Sequence, residues 1–145
     1  MVALLDVNVL VALAWPTHIH HELVHQWLEQ HHDQRWATCP LTQSGFVRVS
    51  SNRHIIPAAK SPREALQALE SILGHPHHVF LPDDLSIADR QWVAVDKLIG
   101  YRQVTDAHLL GVALKNSAQC VTLDHNMVGL VPAGFDPKQA VTVIA

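Results

Sequence analysis

Short apolar runs alternating with longer stretches of helical spacing constrain this chain most. Val2-Ala3-Leu4-Leu5, Trp36-Ala37-Thr38-Cys39, Val79-Phe80-Leu81, Gln119 to Leu123 and Val141-Thr142-Val143-Ile144 are too short to be helices and largely lack a polar face. Runs of this kind belong to strands buried on both sides, as in a parallel sheet. The stretches between them read as helices. From His18 to His32, Ile19, Leu23, Val24, Trp27 and Leu28 form one apolar stripe. A brief helix is expected over Val9 to Ala14, ending where Trp15 precedes Pro16. Another should start at Pro40 and run to about Ser50. Ser61-Pro62-Arg63-Glu64 is a capping box that opens a helix closed by Gly74. Two more helices are predicted, over Ser86–Ile99 with Ser86 as cap and from a Thr105 cap to about Asn116. The alternation predicts an α/β layered fold with a mainly parallel sheet.

Composition limits the function classes. The 145 residues suit one domain, and 48% hydrophobic with 16% charged residues excludes disorder. Ten Lys and Arg against 13 Asp and Glu leave a net charge of −3, which does not advertise a nucleic-acid binder. Twelve histidines raise metal ligation. Cys39 and Cys120 form neither a disulfide framework nor a C-x-x-C site and read as buried strand thiols. No apolar run approaches a membrane span, and a cytoplasmic protein is expected.

Three carboxylates stand at element boundaries. Asp6 ends the first strand, Asp106 lies in the first turn of a helix, and Asp124 ends the fourth strand. Ligands of α/β sheets bind outside the carboxyl ends of strands, where Asp6 and Asp124 fall. Hard cations such as Mg²⁺ take a few carboxylate oxygens and keep several waters, and they stabilise a phosphodiester in reaction. Asp6 interrupts an apolar run, where a charge is costly without a purpose. Asp106 alone reads equally as a helix-dipole residue, and Asp124 as a turn residue.

Leu4-Leu5-Asp6-Val7-Asn8-Val9-Leu10, Leu41-Thr42-Gln43-Ser44-Gly45-Phe46-Val47-Arg48-Val49, Val104-Thr105-Asp106-Ala107-His108-Leu109-Leu110 and Val121-Thr122-Leu123-Asp124 resemble, in order, the motifs of PIN-domain ribonucleases. The VapC-type toxins of bacterial toxin–antitoxin pairs are the nearest look-alikes. The resemblance implies a three-layer αβα sandwich spanning the chain, Mg²⁺- or Mn²⁺-dependent endonucleolysis of RNA, a homodimer, and a cognate VapB-type antitoxin. By matching position, Asp6, Asp106 and Asp124 would bind metal, with Asn8 and Thr105 as supporting polar groups. Gln43 would join the three acids as a catalytic residue that orients a water or coordinates weakly, but it departs from the glutamate that many members carry, leaving three formal negative charges instead of four and putting a second metal in doubt. Asp83 and Asp84 are possible substitutes.

A rival motif is present. His21-Glu22-Leu23-Val24-His25 matches the H-E-x-x-H signature of zinc peptidases. His31 stands where the extended signature has a third ligand, but Leu28 replaces the glycine that would turn the chain. On one helix His31 lies about 15 Å beyond His21, out of reach of a shared ion. His21 and His25 are expected on a solvated face, as are His18, His20, His32, His75, His77 and His78. For RNA contact, Arg48 and Arg102 lie close in sequence to the proposed site, within a basic region that includes Arg53, His54, Lys60 and Arg63. Trp15, Trp36 and Tyr101 could stack on unpaired bases. Two alternatives to the nuclease follow: an RNA- or partner-binding module with catalysis impaired by Gln43, and a zinc peptidase.

Overall fold

The computed structural model describes residues 1–56 and 59–145. Strands β1 (Ala3–Leu5), β2 (Trp36–Thr38), β3 (His78–Phe80), β4 (Gln119–Thr122) and β5 (Val141–Val143) form one sheet in the order β3-β2-β1-β4-β5. Every pairing is parallel, with Leu4 set against Ala37 on one side and Cys120 on the other. The helices are α1 (Val7–Ala14), α2 (His21–Gln30), α3 (Pro40–Ser50), α4 (Pro62–Leu73), α5 (Val104–Lys115) and α6 (Pro137–Ala140).

Successive strand residues point to opposite faces, so each strand feeds two cores. Ala3, Leu5, Trp36 and Val121 pack with Val9, Leu10, Val24, Phe46 and Leu69. Leu4, Ala37 and Cys120 pack with Leu109, Leu110, Val112, Met127 and Leu130. Helices α1 to α4 therefore cover one face, and α5, α6 and the segments around them the other. This is the three-layer αβα sandwich that the sequence led us to expect. Cys39 and Cys120 are buried free thiols, and burial pushes both pKa values up. Among the described residues no helix is long and apolar enough to cross a membrane.

The expected helix over Ser86–Ile99 does not form. That stretch is turns with one 3₁₀ turn at Val95–Lys97. Ser86 Oγ accepts from the Ala88 N–H and Asp89 Oδ1 from the Gln91 N–H, so both side chains satisfy local backbone in place of a helix. Val93 and Ala94 still reach the core from this irregular backbone. Thr105 is not a cap either, because α5 begins at Val104 behind a 3₁₀ turn at Tyr101–Gln103. Gln103 Oε1 fixes that entry by accepting from the Ile99 and Gly100 N–H groups at 2.6 and 3.3 Å. Helix α1 starts earlier than expected, at Val7, with Asp6 as its N-cap.

The H-E-x-x-H spacing has a structural role. Helix α1 ends ahead of Pro16, which has no N–H to offer the Ala12 carbonyl. The His21 ring donates from Nδ1 to that carbonyl at 2.7 Å, and His25 donates from Nε2 to the Leu13 carbonyl at 3.1 Å. One turn apart on α2, the two imidazoles cap the end of α1. His21 is thus half-buried against α1, not solvated as expected.

Candidate active site

Strand order reverses between β1 and β4, since the chain leaves β1 toward β2 and returns past it to β4. Beyond the carboxyl ends of such a strand pair the outgoing connections diverge and leave a crevice. Asp6 follows β1 there, Asp124 follows β4, and Asp106 enters from the first turn of α5. All three line one pocket of about 370 Å³ together with Asn8 and His18, against an apolar wall of Val11, Val49, Ile55 and Ile56.

Asp6 is only 7% exposed. Its Oδ1 accepts from the Val7 N–H and its Oδ2 from the Thr122 hydroxyl, each at 2.7 Å. Burial pushes its pKa up; the bonds from Thr122 and Val7 pull it back, and the neighbouring Asp124 adds to the rise. Asp106 is pushed up to about 6, first by burial and then by the charges of Asp6 and Asp124. The three carboxylates therefore share one electrostatic field. Asp124 Oδ1 accepts from the Asn126 N–H at 2.9 Å, holding the turn that follows.

Thr122 ties the pocket together. Its hydroxyl donates to Asp6 and accepts from the Asp124 N–H at 3.0 Å and from Asn8 Nδ2 at 3.4 Å. That uses its one donor and two lone pairs in full. Asn8 Oδ1 in turn accepts from the Leu123 N–H at 3.3 Å, linking α1 to the end of β4.

These residues suit a hard cation better than a soft one. Among the described residues no three His, Cys, Asp or Glu side chains close on a single point as ligands. Zinc sites need three or four direct protein ligands, so His21, Glu22 and His25, with both rings engaged on α1, do not make one. Mg²⁺ and Mn²⁺ are bound through one or two carboxylates and several waters, which oxygen donors around an open pocket can supply. The pKa values of Asp6 and Asp106 are raised first by burial and then by the neighbouring carboxylate charges, both of which a bound cation would oppose.

Other predicted residues lie elsewhere. Gln43 does not line the pocket; its Nε2 donates to the buried Thr38 hydroxyl at 3.0 Å, which also meets His78 Nε2 at 2.7 Å. Thr105 is exposed. Arg48 and Arg102 are exposed outside the lining, and Arg102 lies over the Tyr101 ring at 5.7 Å. Asp83 pairs with His108 at 2.9 Å and Asp84 with Lys115 at 3.2 Å, so neither substitutes for a site acid. His18, expected to be solvated, lines the pocket, and burial lowers its pKa first, with His20 and His21 adding to the effect. Thr122 is a site residue that sequence reasoning does not find, since threonine is an ordinary strand residue and only its bonds reveal the role.

A family model described as PIN domain matches residues 3–130. Ribonuclease VapC38 of Mycobacterium tuberculosis is 47% identical over 142 residues, 98% of this chain and 97% of the relative. Ribonuclease VapC39 of the same species is 38% identical over 135 residues, 93% and 97% of the two chains. In fold, a chain from the crystal structure of VapBC2 from Rickettsia felis bound to a DNA fragment from their promoter superposes with a TM-score of 0.61 at 14% identity. The match covers 94% of this chain and all of that one.

Proposed function

Because this chain belongs to the PIN-domain family, and within it to the VapC ribonucleases, we propose that it is a Mg²⁺- or Mn²⁺-dependent endoribonuclease, the toxin of a toxin–antitoxin pair. The observation that carries this reading is the meeting of Asp6, Asp106 and Asp124 in one pocket at the β1–β4 crevice. Asp6, Asp106 and Asp124 would hold the ion. When bound, the ion would acidify water and offset charge on the phosphodiester under attack. The chain's own part is positional. Thr122 and the Val7 N–H fix both oxygens of Asp6, so its lone pairs are aimed before any ligand arrives. Asn8 and the Thr122 hydroxyl lock the end of β4, which sets Asp124. Asp106, its pKa pushed up to about 6 by burial and by the charges of Asp6 and Asp124, carries its full charge toward the ion only near neutral pH. Nothing in this arrangement calls on Gln43.

RNA is the substrate, the whole chain acts as one nuclease domain, and it works as a cytoplasmic homodimer under a cognate VapB-type antitoxin. The VapC names of the relatives and the VapBC2 fold neighbour support the antitoxin. Purified protein with Mn²⁺ should cleave single-stranded or structured RNA internally. EDTA should abolish the activity, and so should Asp6→Asn in a protein that keeps its circular dichroism spectrum. RNA binding without any cleavage would overturn the nuclease reading in favour of a binding module.

A further inference from the structure

Next to the acidic pocket lies a second one of about 300 Å³, formed by Trp15, Pro16, Thr17, Ser50, Ile56 and Lys60 with Ala14 behind. The two share the Ile56 side chain as a wall. They are also joined through α1, whose N-cap is Asp6 and whose C-cap is Trp15, about 13 Å apart along the axis. We propose that this second pocket is a subsite for an unpaired nucleotide flanking the scissile phosphate, with its base against Trp15 and Ile56 and its phosphate on the Lys60 ammonium. The inference rests on the ribonuclease reading and extends it to how the strand is held.

Trp15 is set in place before any ligand binds. Its Nε1–H donates to Ser50 Oγ at 2.8 Å, and its ring stacks on Phe46 at 6.1 Å between centroids and 11° between planes. Yet the residue is only half-buried, unlike Trp36, which is 7% exposed and belongs to the core. A rigid, partly open aromatic face is what proteins offer to unpaired bases. Lys60 supplies the other half. Its backbone N–H bonds the Ser50 carbonyl at 3.1 Å, and its ammonium lies over the Trp15 ring, 5.9 Å from the centre, a cation–π contact that an incoming base would replace as the ammonium turns to the phosphate. The ion pairs among the described residues are Arg90–Asp96, His108–Asp83 and Lys115–Asp84, and none engages Lys60.

Electrostatics explains why such a cation belongs beside the site and not in it. Three carboxylates repel a polyanion, so the attraction that holds the strand must come from charge set back from them. A lysine placed among the acids would pair with them and displace the cation they are suited to hold. One pocket away, it can hold the neighbouring phosphate.

The test uses an RNA oligonucleotide that the wild-type protein cleaves, with Lys60→Gln and Trp15→Leu variants and a second oligonucleotide made abasic at the flanking nucleotide. Lys60→Gln changes an exposed side chain and should raise KM roughly fivefold at unchanged kcat, with the salt dependence of KM reduced by about one counterion. The abasic substitution should cost the wild type a similar factor. It should cost Trp15→Leu nothing further, an interplay that a merely structural tryptophan would not produce. If the wild type cleaves but Lys60→Gln keeps both its KM and its salt slope, the subsite is overturned, whether or not Trp15→Leu folds. An unchanged RNA KM with weakened binding of an oligo-glutamate probe also overturns it, assigning the pocket to an acidic protein partner. A wild type that cleaves no RNA fails at the earlier step and overturns the ribonuclease reading itself.

Discussion

Asp106 keeps its proton to a higher pH than an ordinary aspartate because burial and the charges of Asp6 and Asp124 oppose its ionisation. Two consequences have opposite signs. Cation-dependent cleavage should fall as pH drops through about 6, since a protonated Asp106 no longer attracts the ion. Stability of the metal-free protein runs the other way. Between the ordinary value of 3.8 and about 6 the folded state binds more protons than the unfolded state, so stability declines as pH rises across that window. Asp106→Asn should therefore raise metal-free stability at pH 7 by about 1 kcal/mol once solvent screening of this half-buried group is discounted, change it little at pH 4, and remove cleavage. Urea unfolding at both pH values checks this, and equal shifts at the two would refute it. That Asp6, Asp106 and Asp124 meet in one pocket was legible from the cost of Asp6 inside an apolar run and, for the other two, from the motif resemblance. Thr122 was not, because threonine is also an ordinary strand residue, and only its bonds to Asp6, Asn8 and the Asp124 N–H set it apart.

At the scale of elements, α1 and α3 meet without room to spare. A Cβ on Gly45 would stand 2.5 Å from Val7 Cγ2, and the Val7 N–H holds Asp6. Gly45→Ala should cost about 1–3 kcal/mol through overpacking, outweighing the helix propensity gained. It should also lower cleavage in the protein that remains folded, by displacing the Asp6 carboxylate. Gly129→Ala, which meets nothing within 4 Å, is the control for both measurements. Element identity was readable wherever pattern and caps agreed, as with the Ser61–Glu64 capping box that opens α4. It failed over Ser86–Ile99, where apolar spacing suggested a helix but Ser86 and Asp89 bond their own backbone. It misled again at His21 and His25, whose spacing suits both a zinc ion and the exposed carbonyls of a neighbouring helix end; only the position of α1 decides between them.

Over the whole molecule, the acidic excess of 13 carboxylates over 10 cations is concentrated where it is useful, in a pocket that a cation would neutralise. Mn²⁺ should stabilise the folded protein by about 2.7 kcal/mol at a hundredfold excess over Kd, read as a thermal midpoint that rises with the logarithm of Mn²⁺ concentration. Asp6→Asn should abolish that rise; an equal rise in both proteins would place the ion elsewhere. The bond from Thr122 to Asp6 spans 116 residues of sequence, and Asp124 lies further on. On an emerging chain the Val7 N–H is beside Asp6 from the start, but the Thr122 hydroxyl that fixes its other oxygen follows 116 residues later. Until α5 and β4 have been made and docked there is no pocket to fill, and fragments released early carry none. For an enzyme that attacks RNA, this order of synthesis works as a timer: the pocket cannot assemble on the chain until Thr122 and Asp124 have been made.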